Sequence, residues 1–268
     1  MRKWDPGHRI VLDVQGAADI VRERLTIPLP EGREVRADLY APPGPWPAAL
    51  RPAVLFVHGD ADAERLRGVL DWGQYISWGE AVAARGMVGV TFEHSSSEHL
   101  RGMRRVIEEV DAMLGFLRAD GRSLGIDPDR IGLWTCSGGA PFAVVSALRA
   151  SPPVRCLVSY YGFLDLRHLA GRVDPAVGAE ELAEASPAAV VARIAHLPPT
   201  LVVKAGLDRP AINDSIDAYV AAVARRQPPI QLLVHTTGHH AFDVLDDDET
   251  SRSIIASTIE FLSSHLGA

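Results

Sequence analysis

The sequence predicts an α/β fold, with a mostly parallel central sheet and helices on both faces. From residue 51 onward, short apolar runs alternate with longer stretches of helical periodicity. The apolar runs are almost unbroken, which is typical of parallel strands covered on both sides. Before residue 51, two runs alternate apolar and polar residues around a turn. That pattern predicts an antiparallel hairpin at the N-terminal edge of the sheet.

Glycine and proline separate the predicted strands. The hairpin consists of "RERLTIPL" and "EVRADLYAP", joined through "PEG". Six further strands are predicted at 51–59, 87–94, 130–136, 154–162, 200–206 and 230–236. Helical stretches lie between these strands, and such crossover connections are right-handed. The six strands are therefore expected to lie parallel in one sheet.

Three helices are especially clear. One is predicted to begin at Ser95, with Glu98 in the position that completes a capping box. It carries an apolar stripe at helical spacing: Leu100, Met103, Val106, Val110, Met113 and Leu117. A second helix runs from about Ile212 to Val223, and a third covers 251–266. The acidic run at 246–249 is expected to open the last helix.

All 268 residues are predicted to form a single domain, 1–268, because α/β folds of this length commonly stay undivided. The connection at 162–186 is too long for a plain crossover. It is predicted to form a small lid over the carboxyl ends of the strands, with Phe163 and Leu164 as the roof of an apolar pocket. Ser186 is expected to cap the helix that follows.

Composition excludes several function classes. The formal net charge of −7 argues against a nucleic-acid partner, because phosphate binding needs clustered Lys and Arg. The N-terminus has no apolar stretch of a secretory signal, and no run approaches a membrane span. Cys136 and Cys156 are too few for a disulfide framework or a zinc site. We therefore expect a cytoplasmic protein with no nucleic-acid or membrane partner.

The stretch "IGLWTCSGGAPF" at 131–142 contains two adjacent candidate nucleophiles, Cys136 and Ser137. A buried strand precedes them and an amphipathic helix follows. That context is typical of a nucleophile elbow, a sharp strand-to-helix turn that exposes one side chain at the top of the sheet. Without this context, "SGG" is more typical of an ordinary flexible turn.

The residues that flank the nucleophile decide between the two candidates. Residues two before and two after the nucleophile must be small, because the turn is packed against its neighbours. With Ser137 as nucleophile these flanks are Thr135 and Gly139. With Cys136 as nucleophile the preceding flank is Trp134, whose indole does not fit. The pattern favours Ser137 and leaves Cys136 as the alternative.

A serine hydroxyl needs a neighbouring base, which is itself held by an acid. In this class of fold the partners follow in the order Ser, Asp or Glu, His, each after a strand. Asp208 follows the strand at 200–206, and His240 follows the strand at 230–236. His239 is the alternative base. The alternative acids are Asp214, Asp217 and Asp243.

Other residues at strand ends complete the predicted site. The backbone N–H groups of Asp60 and Gly138 are expected to form an oxyanion hole. The Asp60 carboxylate would either turn away from the developing charge or shape substrate choice, and His58 is interpreted as a structural turn residue. Ligands bind at the carboxyl edge of such sheets. The predicted substrate contacts are Trp72, Tyr75, His94 and Tyr161.

These segments together resemble the α/β-hydrolase superfamily near its dienelactone-hydrolase-like branch. The resemblance is carried by "VLFVHGD", "DRIGLWTCSGGA", "LVVKAGLDRPAIN" and "GHHAFDVLDD", and covers roughly residues 20–266. It implies the α/β-hydrolase fold. It places the nucleophile on Ser137, the acid on Asp208, the base on His240 and the oxyanion amides on Asp60 and Gly138. Dienelactone hydrolases use a cysteine nucleophile, whereas serine stands at that position here.

The sequence therefore predicts a serine hydrolase that cleaves an ester, thioester or lactone of a small to medium organic molecule through an acyl-enzyme. No metal or organic cofactor is implied, and a homodimer is compatible with the sequence. One alternative is a cysteine-dependent dienelactone-type hydrolase that uses Cys136. Another is a lyase, cyclase or ligand-binding protein on the same scaffold. The weakest alternative is a metal hydrolase that uses His58, Asp60, His94 and His240, because recognisable ligand spacing is missing.

Overall fold

A central sheet runs through the computed structural model, which describes residues 3–43, 50–170, 173–194, 196–225 and 230–268. Eight strands form this sheet within the described ranges. They are β1 (Val21–Pro28), β2 (Glu34–Ala41), β3 (Arg51–Val57), β4 (Val88–Phe92), β5 (Ile126–Cys136), β6 (Cys156–Tyr160), β7 (Thr200–Ala205) and β8 (Ile230–His235). Every strand predicted from the sequence is present.

The strand order is β1-β2-β4-β3-β5-β6-β7-β8. Strand β2 pairs antiparallel with β1 and with β4, and the remaining neighbours pair in parallel. A mostly parallel sheet with an antiparallel N-terminal edge hairpin is thus confirmed. In the centre, Val57 of β3 lies opposite Phe92 of β4 and Thr135 of β5. The parallel strands therefore end together, and the loops that follow them meet at one edge.

Helices cover both faces of the sheet. In the described part of the chain they are α1 (Ala63–Leu66), α2 (Gly73–Ala83), α3 (Met103–Ala119), α4 (Ala140–Arg149), α5 (Ala179–Glu184), α6 (Pro187–Val190), α7 (Pro210–Ala224), α8 (Phe242–Leu245) and α9 (Glu249–Leu266). None of these helices combines the length and the apolar character that a membrane crossing requires.

Alternate residues of one strand supply the two hydrophobic layers. In β3, Leu55 and Val57 pack into a core shared with α3, α4 and α7. Val54 and Phe56 face the opposite side, where α2 and α9 pack. Side chains of a strand alternate between the faces of a sheet. A nearly unbroken apolar strand is therefore buried on both sides, as the sequence predicts.

The prediction that a helix begins at Ser95 is wrong, because α3 begins at Met103. Residues Glu98, His99 and Leu100 have φ values of 51°, 59° and 74°, in the left-handed region that ends regular helix. The Ser95 amide and hydroxyl both donate to the Glu109 carboxylate, at 2.7 and 2.9 Å. The polar groups that suggested a cap are therefore used in tertiary contacts.

Of the two other predicted helix N-caps, one is confirmed and one is wrong. The Asp248 side chain accepts a hydrogen bond from the Ser251 amide at 2.8 Å and caps α9, as the acidic run predicts. Ser186 stands at the N-cap position of α6, but its hydroxyl does not cap that helix. The hydroxyl accepts from the Leu166 amide at 2.8 Å and donates to the Leu182 carbonyl at 2.6 Å. The Ser186 hydroxyl therefore links two parts of the connection at 162–186 and leaves the helix end without a side-chain cap.

The connection at 162–186 packs onto the helices beside it. Leu164 is fully buried in the core that α3, α4 and α7 share. Leu166 and Leu182 form a smaller cluster with Met103 of α3 and with α4. Residues 171 and 172 of this connection lie outside the described residues. A lid formed by the connection stays a prediction.

Helix α2 approaches the sheet through two glycines. A Cβ atom at Gly79 would overlap the ring of Tyr40, which lies on β2. A Cβ atom at Gly89 of β4 would lie 2.8 Å from the Gly79 carbonyl oxygen. These two glycines allow α2 to lie close against strands β2 and β4.

We expect Gly79→Ala to lower the free energy of unfolding by about 1–3 kcal/mol, because the added methyl forces Tyr40 to move. Gly115→Ala in α3 is the matched control, since a Cβ at Gly115 meets no atom within 4 Å. Alanine is the better helix former by about 1 kcal/mol, so this control should be neutral or stabilising. Urea denaturation measures both, and equal stabilities would contradict the close contact.

Candidate active site

The turn between β5 and α4 carries Ser137. This serine has a φ of 51°, which a residue with a side chain adopts only at a cost in free energy. The strand ends at Cys136 and the helix begins at Ala140, so the chain reverses within three residues. Such a turn projects the serine side chain above the sheet edge, as a nucleophile elbow does.

Small residues allow this turn to pack against the loop after β3. A Cβ at Gly139 would overlap the carbonyl oxygen of His58, and a Cβ at Gly138 would lie 3.1 Å from the Cβ of Asp60. Thr135 occupies the preceding flank and is fully buried within the sheet. Threonine therefore fits where the usual pattern has glycine.

Three side chains that are distant in the sequence converge at this turn. The Ser137 hydroxyl donates to Nε2 of His240 across 2.8 Å. Nδ1 of His240 donates to Oδ2 of Asp208 across 2.6 Å. The second Asp208 oxygen accepts the Arg209 amide at 2.7 Å, and the Asp208 side chain is only 1% exposed. These hydrogen bonds place the ring proton of His240 on Nδ1 and leave Nε2 free to accept a proton from serine.

The alternative base and two of the alternative acids make other contacts. The Asp246 carboxylate holds His239 through its amide at 2.7 Å and its Nδ1 at 3.1 Å. Asp217 forms an ion pair with Lys204 at 2.7 Å. Asp243 is buried below the turn and does not contact His240 through any hydrogen bond of the described residues. Of the candidates, His240 and Asp208 are the two that form a chain of hydrogen bonds with Ser137.

The thiol of Cys136 lies in the wrong environment for a nucleophile. Burial raises its pKa to about 12, and a hydrogen bond from the Tyr75 hydroxyl lowers it by less. The Tyr75 oxygen lies 3.6 Å from the sulfur. A thiol acts as a nucleophile through its thiolate, which this environment suppresses at neutral pH. The site thus favours Ser137 over Cys136.

The Asp60 carboxylate turns away from the serine. It accepts hydrogen bonds from the Ser97 amide at 3.0 Å and from the Ser97 hydroxyl. The neighbouring Ser96 hydroxyl donates to the Ala61 carbonyl at 2.6 Å. Of the two orientations considered from the sequence, the structure has the first. The segment after β4 therefore anchors the loop after β3.

His94, a predicted substrate contact, does not line the cavity that Ser137 and His240 line, and its contact with substrate stays a prediction. Its buried ring stacks on His58 with centroids 3.6 Å apart. His94 Nδ1 and Nε2 face the carbonyl oxygens of Ser95 and His58, at 2.8 and 3.0 Å. The His58 ring bonds the Gly59 carbonyl and the His94 amide, and burial lowers its pKa well below the usual value. Both rings brace the backbone of the loops, as the interpretation of His58 expects.

The histidines of the metal alternative have other partners. The ring nitrogens of His58 and His94 face backbone atoms, and those of His240 face Ser137 and Asp208. Over the described ranges, no group of three or more His, Cys, Asp or Glu side chains is arranged to hold a metal ion.

A cavity of 340 Å³ opens beside Ser137 and His240. Three of the predicted substrate contacts line it, namely Trp72, Tyr75 and Tyr161. Leu164 does not line it, because that side chain is in the core. Five further residues that were not predicted from the sequence also line the cavity: Trp4, Arg65, Gln74, Arg209 and Leu245. They come from segments whose side chains meet only in the folded chain.

A buried polar network supports the floor of this cavity. Asp243 accepts hydrogen bonds from the Tyr161 hydroxyl at 2.6 Å and from Trp78 Nε1 and Gln74 Nε2, both at 3.0 Å. Burial raises the pKa of Asp243, and these three donors partly offset that rise. The Tyr161 ring lies 4.8 Å from the His240 ring. The network therefore holds Tyr161 against one side of the His240 imidazole. In the sequence, the only sign of this role is that Asp243 lies three residues after His240.

Comparison with known proteins identifies the fold. No family model matches the chain, and no curated protein matches it. Among solved structures, carboxyl esterase 2 from the mycorrhizal fungus Tuber melanosporum is 18% identical over 96% of this chain and 91% of that one, with a TM-score of 0.71. Brefeldin A esterase, a bacterial homologue of human hormone sensitive lipase, is 17% identical over 98% of this chain and 82% of that one, with a TM-score of 0.72. A bacterial heroin esterase is 20% identical over 96% of this chain and 87% of that one, with a TM-score of 0.70.

The chain therefore has the α/β-hydrolase fold, as the resemblance in its sequence implies. The neighbours named above carry the names of esterases, and at these identities the likeness shows the fold alone. The assignment to a dienelactone-hydrolase-like branch gains no support from them.

We expect Cys136 in the folded protein to resist alkylation by iodoacetamide at mildly alkaline pH, because its thiol is buried and its pKa is raised to about 12. Peptide mapping by mass spectrometry measures the modification. Cys156, whose burial also raises its pKa to about 12, should resist equally, and both should react in guanidinium chloride. Rapid stoichiometric labelling of Cys136 alone in the native protein would contradict this environment.

Proposed function

We propose that the protein is a serine hydrolase that cleaves esters of small to medium organic molecules. One observation carries the proposal: a continuous chain of hydrogen bonds joins Ser137, His240 and Asp208 beside an accessible cavity. The structurally similar proteins named above are esterases, which supports ester hydrolysis on this scaffold. The cytoplasmic location and the homodimer considered from the sequence belong to this proposal.

In the first half of the reaction, Ser137 Oγ attacks the ester carbonyl while His240 Nε2 takes the hydroxyl proton. Asp208 keeps the imidazole in the required tautomer and stabilises the imidazolium that forms. The imidazolium then gives its proton to the leaving alkoxide, and the alcohol departs. The acyl group remains on Ser137 as an ester.

The oxyanion is proposed to bind the amides of Gly138 and Asp60. Two backbone features support this assignment. The Asp60 nitrogen lies 3.2 Å from the position that a Cβ at Gly138 would take, so the two segments are adjacent. The Asp60 carboxylate is held by Ser97, which keeps its charge from the developing oxyanion. Amides fixed in this way stabilise the transition state without reorganisation.

In the second half, a water molecule attacks the acyl-enzyme carbonyl and His240 takes its proton. The tetrahedral intermediate collapses, the carboxylic acid leaves, and the proton returns to Ser137 Oγ through His240. Each step uses groups of this chain and the entering water. The proposed reaction therefore needs neither a metal ion nor an organic cofactor.

We expect Ser137→Ala to lower kcat/KM for 4-nitrophenyl butyrate by about 10⁴-fold or more, because the three side chains act as a unit. Cys136→Ala, which changes the adjacent residue, should keep activity within about threefold, because the thiol takes no part in proton transfer. Release of 4-nitrophenolate measures both. Loss in Cys136→Ala with activity retained in Ser137→Ala would transfer the role to the cysteine.

A fluorophosphonate probe should label the wild-type protein on Ser137, because the activated hydroxyl attacks phosphorus as it attacks a carbonyl. Peptide mapping locates the adduct. Folded Ser137→Ala protein serves as the control and should stay unlabelled. An unlabelled wild-type protein with normal folding would favour the lyase, cyclase or ligand-binding alternative.

We expect Ser97→Ala to lower kcat about tenfold with little change in KM, because the loop that carries the Asp60 amide loses its anchor. Ser123→Ala is the control, since the exposed Ser123 hydroxyl donates only to the nearby Asp120 carbonyl among the described residues. Steady-state kinetics with 4-nitrophenyl butyrate separates the two parameters. An unchanged kcat in Ser97→Ala would argue against a role for this loop in the transition state.

A further inference from the structure

We propose that the substrate carries a carboxylate and that Arg65 binds this group in the cavity beside Ser137, with Arg209 as a second cation. The inference rests on the proposed function and names the class of ester that the site takes. The scissile ester lies at Ser137, and the carboxylate lies farther along the cavity wall. Both arginines line the same cavity as Ser137 and His240.

The Arg65 guanidinium is positioned by an aromatic ring. Its Cζ lies 4.7 Å from the ring centroid of Trp4. Such a cation–π contact attracts a guanidinium to the ring and uses no hydrogen-bond acceptor. The N–H donors lie in the plane at its edges and remain open to a bidentate carboxylate. Trp4 thus holds the cation without consuming its hydrogen-bond donors.

The acidic residues near Arg65 in the same loop are engaged elsewhere. Asp60 accepts hydrogen bonds at 3.0 Å or less, Asp62 lies 3.4 Å from a histidine ring nitrogen, and Glu64 forms an ion pair at 3.2 Å. Their respective partners are Ser97, His99 and Arg67. Within the ranges that the structure describes, no carboxylate pairs with Arg65. Its charge is therefore available to a ligand.

Arg209 brings a second positive charge to the cavity. Its Cζ lies 5.6 Å from the Phe163 ring centroid, and its side chain is 65% exposed. The adjacent Asp208 carboxylate is 4.0 Å from Arg209 Nε, but its oxygens already accept from His240 and from the Arg209 amide. The guanidinium donors of Arg209 are thus not used by that carboxylate.

An aromatic wall connects the nucleophile to Arg65. The Tyr75 hydroxyl accepts the Gly59 amide at 2.9 Å, next to the elbow. The Tyr75 and Trp72 rings are 6.0 Å apart, and the Trp72 and Trp4 rings are 4.9 Å apart. Arg65 stands at the far end of this row. An apolar substrate body that packs along the wall would place a terminal carboxylate at the guanidinium.

Charge makes this arrangement selective. The chain has a net charge of −7, which disfavours anions over the surface as a whole. Of the side chains that line the cavity, Asp60 carries a negative charge that Ser97 already solvates. The two guanidinium groups bring two positive charges to the cavity wall, and the Asp60 and Asp208 carboxylates are held by Ser97 and His240. A carboxylate-bearing ester would meet these guanidinium groups inside the cavity.

Matched esters test the inference. Mono-4-nitrophenyl adipate and 4-nitrophenyl hexanoate differ by a carboxylate on the acyl side. The anion of 4-acetoxybenzoic acid and 4-methylphenyl acetate differ likewise on the alcohol side. At low ionic strength we expect the charged member of at least one pair to have a kcat/KM about tenfold higher than its neutral partner. Added salt should reduce this preference by screening. Equal or lower values for the charged member in both pairs would overturn the inference.

Variants assign the preference to the guanidinium. Arg65→Gln should lower the charged-to-neutral ratio of kcat/KM about tenfold, chiefly through KM, and Arg209→Gln should lower it less. Arg67→Gln is the matched control, because Arg67 lies two residues away, pairs with Glu64 and is 74% exposed. It should keep the wild-type ratio. An equal ratio in Arg65→Gln and wild type, or an equal loss in Arg67→Gln, would refute the role of Arg65.

A binding measurement separates this inference from the proposed function. Quenching of tryptophan fluorescence reports hexanoate binding, because Trp4 and Trp72 line the cavity. Hexanoate should bind about tenfold more weakly to Arg65→Gln than to Arg67→Gln. Failure to hydrolyse any ester would defeat the proposed function while this binding difference could persist. Equal binding to the two variants would defeat the carboxylate subsite whether or not esters are cleaved.

Discussion

The site depends on the close packing of two loops at the edge of the sheet. The turn after β5 lies directly against the loop after β3, and Gly139 meets the His58 carbonyl oxygen at a distance that excludes any side chain. Within this tightly packed turn, Ser137 has a left-handed backbone conformation, with a φ of 51°. Strain of this size persists only where surrounding structure over-determines the geometry. Here the His58 and His94 rings and the Ser97 contact to Asp60 supply that support.

Three aspartates near the site have different hydrogen-bond partners, so their carboxylates have different effects. Asp208 is fixed by its bonds to the His240 ring and the Arg209 amide, which suits it to orient the base. Asp60 faces Ser97, away from the proposed oxyanion. Asp243 is buried among the donors that brace the cavity floor, and burial raises its pKa. In the proposed site, one residue type thus supplies the group that orients the base, the loop anchor and the structural acceptor.

Much of this arrangement could be predicted because it is local in the chain. Strand positions follow from apolar runs, and the order of Ser137, Asp208 and His240 follows from the strands they end. The helix wrongly assigned from Ser95 shows the limit of such reasoning. Its apparent cap is used by Glu109, which lies 14 residues away on the helix itself. His94 shows the same limit, because a strand-end position does not reveal that its ring packs on His58.

The sequence by itself determined the eight strands, the parallel core with its edge hairpin, and the three residues of the candidate triad. Periodicity and chain order carry that information, since each strand and its following loop are contiguous. Tertiary structure alone decided that Asp60 faces Ser97, that His94 is buried, and that Trp4 stands beside Arg65 and Trp72. These choices depend on contacts between segments far apart in the chain. Their energies arise only when the loops are packed against each other, so no local pattern records them.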